Sequence, residues 1–268
     1  MAHTIYENFY LSNEVEDQFK SHLDLLRFCT HDSTLEGTAG MKRVINVYAA
    51  TDGCTERLAM GEGNAKSIEV GHTQREYEIL LAQNRFDYFD EQAMKDPMLI
   101  PVGMKHAGTD LFNTVNADIF AEFKKASLAV PAAAFNFDAF ADAVAKLNLE
   151  EQGGEIFGFV NAAAKAALRK ALKDELKYVE AFVRTGYIGT VCGVNLYDKR
   201  DADDDAIYIG TKKAVTMFTK KGVEVEQLVN GTRSEDAANI RKNSIFTRKY
   251  YLAALTDETQ VVKIGLTA

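Results

Sequence analysis

Cysteine and proline are both scarce in this chain, with three of each among 268 residues. Cys29, Cys54 and Cys192 are far apart and form no CxxC pair, which excludes a disulfide-framed secreted scaffold and a zinc ribbon and predicts three reduced thiols. A basic leader followed by an apolar core is also missing from the opening Met-Ala-His-Thr-Ile-Tyr-Glu-Asn. No apolar run approaches the roughly 20 residues that span a bilayer. Synthesis and assembly in the cytoplasm are therefore expected. Positive charge is short as well: 31 Lys and Arg stand against 39 Asp and Glu, for a net charge of -8. That balance argues against a chain whose main task is to grip nucleic acid by neutralising phosphates.

Catalytic signatures are equally absent. Gly186, Gly189 and Gly193 fail the spacing of a dinucleotide fingerprint and read as turn glycines, and no phosphate-binding P-loop occurs. His3, His22, His31, His72 and His106 are scattered without metal-ligand spacing. The acidic run Asp198–Asp205 lacks the residue order of an EF-hand and reads as a solvated hairpin tip. The mixed-sign segment Thr232–Lys242 reads as solvated surface, with pairing to neighbours as the competing reading. No G-x-S-x-G is present, and no cysteine stands in a Cys-His context. No catalytic residue, cofactor or metal is expected.

What remains is a chain with 47% hydrophobic residues, ample for a core. Ile5, Phe9, Val15, Phe19, Leu23, Leu26 and Phe28 recur at helical gaps in an arm that must be buried against something. After a loop over Asp32–Gly40, the run Lys42–Ala50 reads as a strand. A Gly-rich interval follows, then a second strand-like run from Lys66 to Leu81, with Tyr77, Ile79 and Leu81 on one face and Glu76 and Glu78 on the other. Together they predict a long two-stranded excursion. An isolated ribbon of this kind is marginal in water, so a neighbouring subunit is its natural cover, with an ordinary hairpin packed on its own domain as the alternative.

Proline belongs in a first helical turn and not in a helix interior, so a helix should start near Pro101 and stop before Pro131. Leu111, Val115, Ile119 and Phe123 repeat every four residues within it, and Phe112 widens the stripe. A second helix carries Phe137, Phe140, Val144 and Leu147 and is expected to end at Gly153-Gly154. Glu155–Val160 reads as a buried strand, and Ala162–Leu172 as a helix by propensity. Gly186–Tyr197, Ala206–Gly210, Lys221–Glu226, Asn243–Leu255 and Thr259–Ile264 are short apolar strands between turns. No internal repeat or low-complexity tract occurs.

The order from Gly186 to Ile264, with its Ile-Gly-Thr-x-x-Gly turn, Val-Glu-Val-Glu strand and Arg-Lys-x-Tyr strand, resembles the C-terminal half of tailed-bacteriophage major capsid proteins, a fold shared with encapsulins and the herpesvirus capsid floor. The resemblance implies an α+β fold with an N-terminal arm (1–33), an extended E-loop hairpin (34–82), a peripheral domain with a long spine helix (83–130 and 222–268) and an axial domain (131–221). It also implies a shell-forming function: copies associate as pentamers and hexamers of an icosahedral head around double-stranded DNA. Scaffolding, portal and decoration proteins would be further partners, with no membrane, and the place of action would be the virion. A nanocompartment shell of the encapsulin kind is the alternative, and an ordinary soluble α+β enzyme or binding domain is a third. Some relatives join subunits through a Lys-Asn bond. Lys66 and Asn64 lie in the hairpin, but no cross-link is expected from them.

Overall fold

The computed structural model describes residues 22–149, 154–173, 189–229 and 239–267. Its strands are β1 (Thr30–Asp32), β2 (Lys42–Ala50), β3 (Val70–Glu78), β4 (Leu80–Phe89), β5 (Leu128–Ala132), β6 (Ile156–Val160), β7 (Thr190–Val191), β8 (Val194–Asp198), β9 (Ala206–Gly210), β10 (Val215–Leu228), β11 (Lys242–Leu255) and β12 (Val261–Leu266). Among the described residues four α-helices join them: α1 (Asp90–Lys95), α2 (Leu99–Lys124), α3 (Phe137–Leu147) and α4 (Ala162–Ala171). The arm positions before His22 and the segment 230–238 lie outside the described residues.

Proline placement decides α2. Pro101 sits in its first turn, where a missing N–H costs no intrahelical bond, and 26 residues carry the helix over roughly 39 Å. Pro131 is tolerated in β5 because β5 is the edge of its sheet. The buried face of α2 holds Leu111, Val115, Ile119 and Phe123, as the four-residue repeat predicts. Phe120 and Asn116 widen it, whereas Phe112, expected there, is only half-buried. Asn116 earns its burial by clamping the chain before β1: its Oδ1 accepts the Leu25 N–H at 3.1 Å and its Nδ2 donates to the Leu23 carbonyl at 3.0 Å.

Three sheets result. One has the order β1-β10-β11-β4, with β1 parallel to β10 and the other pairs antiparallel. Another has the order β5-β12-β9-β6-β8-β7, and β2 pairs β3 in a separate ribbon. Strand alternation splits the six-stranded sheet between two cores. Phe157, Phe159, Tyr208 and Val261 face α2, joining Phe28, Phe120 and Phe123 in a cluster of rings packed mostly edge to face. Val160, Ile207, Ile209, Val262 and Ile264 face α3 and α4. Both β5 and the C-terminal β12 join the six-stranded sheet, while β10 begins at Val215 in the four-stranded one.

Several expectations are corrected. The strand expected from Lys66 to Leu81 is interrupted: β3 starts only at Val70, and the chain leaves the ribbon at Ile79, which is 2% exposed and donates its N–H to the Met41 carbonyl at 2.8 Å. Leu81 therefore belongs to β4, in a different sheet, and is exposed. Helix α3 stops at Asn148, in the left-handed region at φ 45°, well before Gly154; Asn tolerates that conformation and ends the helix as glycine would. Ala139 and Ala143 fill the buried face of α3, with Phe137 exposed and Val144 half-buried. The Cys192-Gly193 pair, with φ of 49° and 80°, forms the tight turn between β7 and β8.

The acidic run is not a hairpin tip, because β8 and β9 flank β6 and never pair with each other. Residues 199–205 form a crossover at the end of β6, and Lys199, Asp201, Asp203 and Asp204 are used internally. Lys199 is 1% exposed, its ammonium lying 4.5 Å from the Phe120 ring centroid and bonded to the Asp201 carboxylate. Asp203 accepts from Lys124 Nζ at 2.6 Å and from the Tyr208 hydroxyl at 2.9 Å. Burial holds the Lys199 ammonium below its ordinary pKa, against the opposing pull of Asp201.

Candidate assembly surfaces

The ribbon is fixed at its base and open beyond it. Tyr77 stacks on Phe218 with centroids 5.0 Å apart, and Ile45 and Leu35 pack on the same cluster beside buried Ile79 and Ala254. Arg75 Nη1 donates to the Thr256 carbonyl at 3.2 Å, Arg43 lies 3.6 Å from Asp32, and Lys220 Nζ donates to the carbonyls of Leu35, at 2.9 Å, and Thr38. Pairing runs from Lys42 opposite Glu78 to Ala50 opposite Val70, so the nine-residue strands extend roughly 30 Å. Alternation puts Arg43, Ile45, Arg75 and Tyr77 on the anchored face and Val44 and Val70 on the other, where they are 43% and 64% exposed. In the connecting loop Leu58, Met60 and Ile68 are also exposed. The loop holds its own shape: Glu56 accepts the Ala65 N–H at 2.7 Å, Glu62 accepts that of Ala59 at 3.1 Å, and buried Cys54 lies 3.2 Å from the Ser67 carbonyl. Asn64 is exposed there, and Lys66 Nζ lies 3.5 Å from the Gly53 carbonyl.

The four-stranded sheet presents a second surface. The face turned from α2 carries a charge ladder in which Arg248 pairs with Glu226 and Arg85 with Asp87 at 2.5 Å, while Lys242 lies 2.9 Å from Asp87 and Ser244 donates to it at 2.6 Å. Burial alone would raise the Asp87 pKa, but the bonds from Arg85, Ser244 and Lys242 outweigh it and hold the carboxyl at about 2. Arg241 pairs with Glu91. The two cations at the end of the mixed segment are thus ion-paired within the chain and not simply solvated, because β11 carries them alongside β4 and α1. At the two bulged positions of β10 the register slips beside Lys221, and Val223 and Val225 stay exposed.

Between β4 and α2 lies a groove of about 540 Å³, lined by Leu80, Leu81, Asp110, Asp118, Glu122 and Tyr251 among others. Its acids already have partners: Tyr251 donates to Asp118 at 2.6 Å, the Leu255 N–H to Glu122 at 3.1 Å, and Asn84 reaches Asp110 at 3.4 Å. Burial and the bond to Asp118 push the Tyr251 phenol up.

The residues screened for chemistry remain dispersed. His31 Nε2 lies 3.1 Å from the Leu26 carbonyl, and among the described residues no group of three His, Cys, Asp or Glu is placed to hold a metal ion. Cys29, Cys54 and Cys192 are all unpaired thiols. Burial, with Asp24 adding to it, pushes the Cys29 thiol up to about 12, far from nucleophilic. Among the described residues no helix is long and apolar enough to cross a membrane.

No family model matches the sequence, and no curated protein matches it either. Solved structures do match over nearly the whole chain. The capsid of Cyanophage P-SCSP1u is similar at TM-score 0.73 and 12% identity, over 97% of this chain and 93% of that one. A structure from Mycobacterium phage Che8 is similar at 0.69 and 17%, over 97% and 98%, and the mature capsid of bacteriophage PhiM1 at 0.69 and 13%, over 100% and 92%. A virus-like particle from Pyrococcus furiosus is less similar, at 0.57 and 13%, over 90% and 92%. At such identities the likeness lies in the fold. The chain has the fold of the tailed-phage major capsid proteins.

Proposed function

We propose that this chain is a major capsid protein, whose copies associate as pentamers and hexamers of an icosahedral phage head enclosing double-stranded DNA. Residues 1–33 act as its arm, 34–82 as the E-loop, 83–130 with 222–268 as the peripheral domain and 131–221 as the axial domain. Scaffolding, portal and decoration proteins are its further partners. It assembles in the host cytoplasm and resides in the virion, in a structural and not a catalytic role. The observation that carries this reading is the ribbon, rigid at its base yet with Val44, Val70, Leu58, Met60 and Ile68 open to solvent. Burying such side chains fully is worth about 1.5–3 kcal/mol each, which no contact among the described residues collects. Contacts repeated around a ring reinforce one another through high effective concentration, so modest surfaces suffice to close a shell. The nanocompartment alternative is less favoured, since the phage capsids named above superpose better than the virus-like particle.

Electron microscopy of the expressed chain tests the proposal. Wild-type protein should form closed shells, with or without co-expressed neighbours. A Val44→Ser, Ile68→Ser, Val70→Ser variant should keep its unfolding profile, since exposed substitutions each shift stability by at most about 0.5 kcal/mol, yet form none. Small oligomers from the wild type under every assembly condition, or normal shells from the triple variant, would overturn the reading.

A further inference from the structure

On the α4 side of the six-stranded sheet a groove of about 460 Å³ runs between that helix and the start of the acidic crossover, with Lys165, Arg169, Asp198 and Arg200 among its lining. Counting Lys199, four Lys and Arg side chains line the groove against one carboxylate, an unusual balance in a chain of net charge -8. Lys165 and Asp198 satisfy each other, the ammonium reaching both carboxylate oxygens at 2.7 and 2.6 Å. The nearby Asp201 is taken by buried Lys199. Among the described residues that leaves Arg169 and Arg200 without an ion-pair partner, and the Nε of Arg169 is shielded from solvent with no hydrogen-bond acceptor. Five other arginines do have a partner, Arg43 with Asp32, Arg75 with Thr256, Arg85 with Asp87, Arg241 with Glu91 and Arg248 with Glu226, although the Nε atoms of Arg43 and Arg248 also lack a hydrogen-bond acceptor.

A half-buried guanidinium with an unsatisfied N–H is costly unless an acceptor arrives from outside, and its forked donors fit the oxygens of a phosphate. Lys165 and Arg169 are one helical turn apart, about 6 Å along the axis of α4, with Arg200 across the groove. Cations set out in a row suit a repeating polyanion better than a single carboxylate. We infer that this groove is a sequence-independent contact for the phosphodiester backbone of duplex DNA, with Arg169 and Arg200 as its principal ligands. The choice of DNA rests on the shell reading above; the anion chemistry of the groove does not. The chain-wide acidity is compatible with it, because a few local contacts tether a polyanion weakly where a uniformly basic wall would hold it fast.

Binding of a short, labelled, mixed-sequence duplex to the full-length chain, titrated across salt concentrations before shells are induced, tests the inference. Each phosphate contact adds about 0.9 to the slope of log affinity against log salt. The Arg169→Gln, Arg200→Gln variant should lose about 2 from the wild-type slope, with affinity at low salt falling by a factor of 10 or more. The Arg169→Lys, Arg200→Lys variant should keep most of the slope, which separates loss of charge from loss of fold. Wild-type protein that does not bind the duplex, or a Gln variant that binds it with unchanged slope, overturns the inference. A Gln variant that binds normally but no longer assembles also overturns it, and would assign the groove to an acidic segment of a second copy. Arginine-dependent binding by a chain that never forms shells would sink the shell reading and leave the groove standing.

Discussion

Two glycines in α2 should respond to the same substitution with opposite sign. A Cβ built on Gly103 falls 2.5 Å from Cζ of Phe86 and under 3 Å from both neighbouring ring carbons, whereas one built on Gly108 meets nothing within 4 Å. Inside a helix, replacing glycine by alanine is worth about 0.8–1 kcal/mol in propensity alone. Gly108→Ala should collect that gain in full. At Gly103 the same gain is opposed by overpacking, which costs about 1–3 kcal/mol. The ring of Phe86 has little room to retreat, since it lies 5.9 Å from the ring of Tyr88, which is 4% exposed and accepts a hydrogen bond from Gln227. Propensity cancels in the difference between the two variants, so Gly103→Ala should be less stable than Gly108→Ala by about 1–3 kcal/mol. Adding Phe86→Leu should remove the clash and give a favourable coupling of similar size with Gly103→Ala. Urea unfolding followed by circular dichroism measures all four variants at one fixed protein concentration, because self-association shifts apparent stability. Equal stabilisation by the two alanines would refute the reasoning and mean that α2 does not need glycine to approach β4.

Two further outcomes follow from single side chains. Asn161 caps α4 by accepting the Ala164 N–H at 2.7 Å, and its Nδ2 donates to the Ala202 carbonyl and to Asp204. Asn161→Ala should cost about 2 kcal/mol in chemical unfolding, the upper end of the capping range because the site is buried; Asn161→Asp should recover only part, since it keeps the cap but sets a carboxylate against Asp204. A wild-type midpoint for the alanine variant would remove the cap from the account. Asp87 contributes stability that is fully present above the ordinary carboxylate pKa near 4 and is lost as pH falls through its folded value of about 2. The stability gap between wild type and Asp87→Asn should therefore be constant near neutrality and shrink over that acid window, as read by unfolding at stepped pH; a constant gap down to pH 2 would contradict the assigned bonds.

The elements themselves were largely legible in the residues. Pro101 in the first turn and the four-residue stripe from Leu111 to Phe123 mark α2, because proline acts on its own backbone and a stripe states its own period; the helix ends at Lys124, before Pro131. Strand β2 and its open partner follow from alternation, whereas the Cys192-Gly193 turn falls inside the run Gly186–Tyr197, which reads as one strand. The likeness to capsid folds was legible too, from the order of strands after residue 186, although identities to the capsid structures are only 10–17%.

What the order of residues left open was who meets whom. Nothing local pairs β6 in parallel with β8, returns β12 to β5, or swings the chain out of the ribbon at Ile79; those choices are made by apolar faces that find each other across long stretches of chain. The same holds for polar groups whose worth depends on enclosure. Asn116 reads as one more helix position until it clamps Leu23 and Leu25, and the run Asp198–Asp205 reads as a wet turn until the crossover buries Lys199 against Phe120. Arg169 is ordinary on a helical wheel and becomes an orphaned donor only in the groove that packing builds around it. Local sequence sets backbone conformation and period, each decided within a few residues, while burial and partner choice are properties of the closed surface and exist only once the chain has folded.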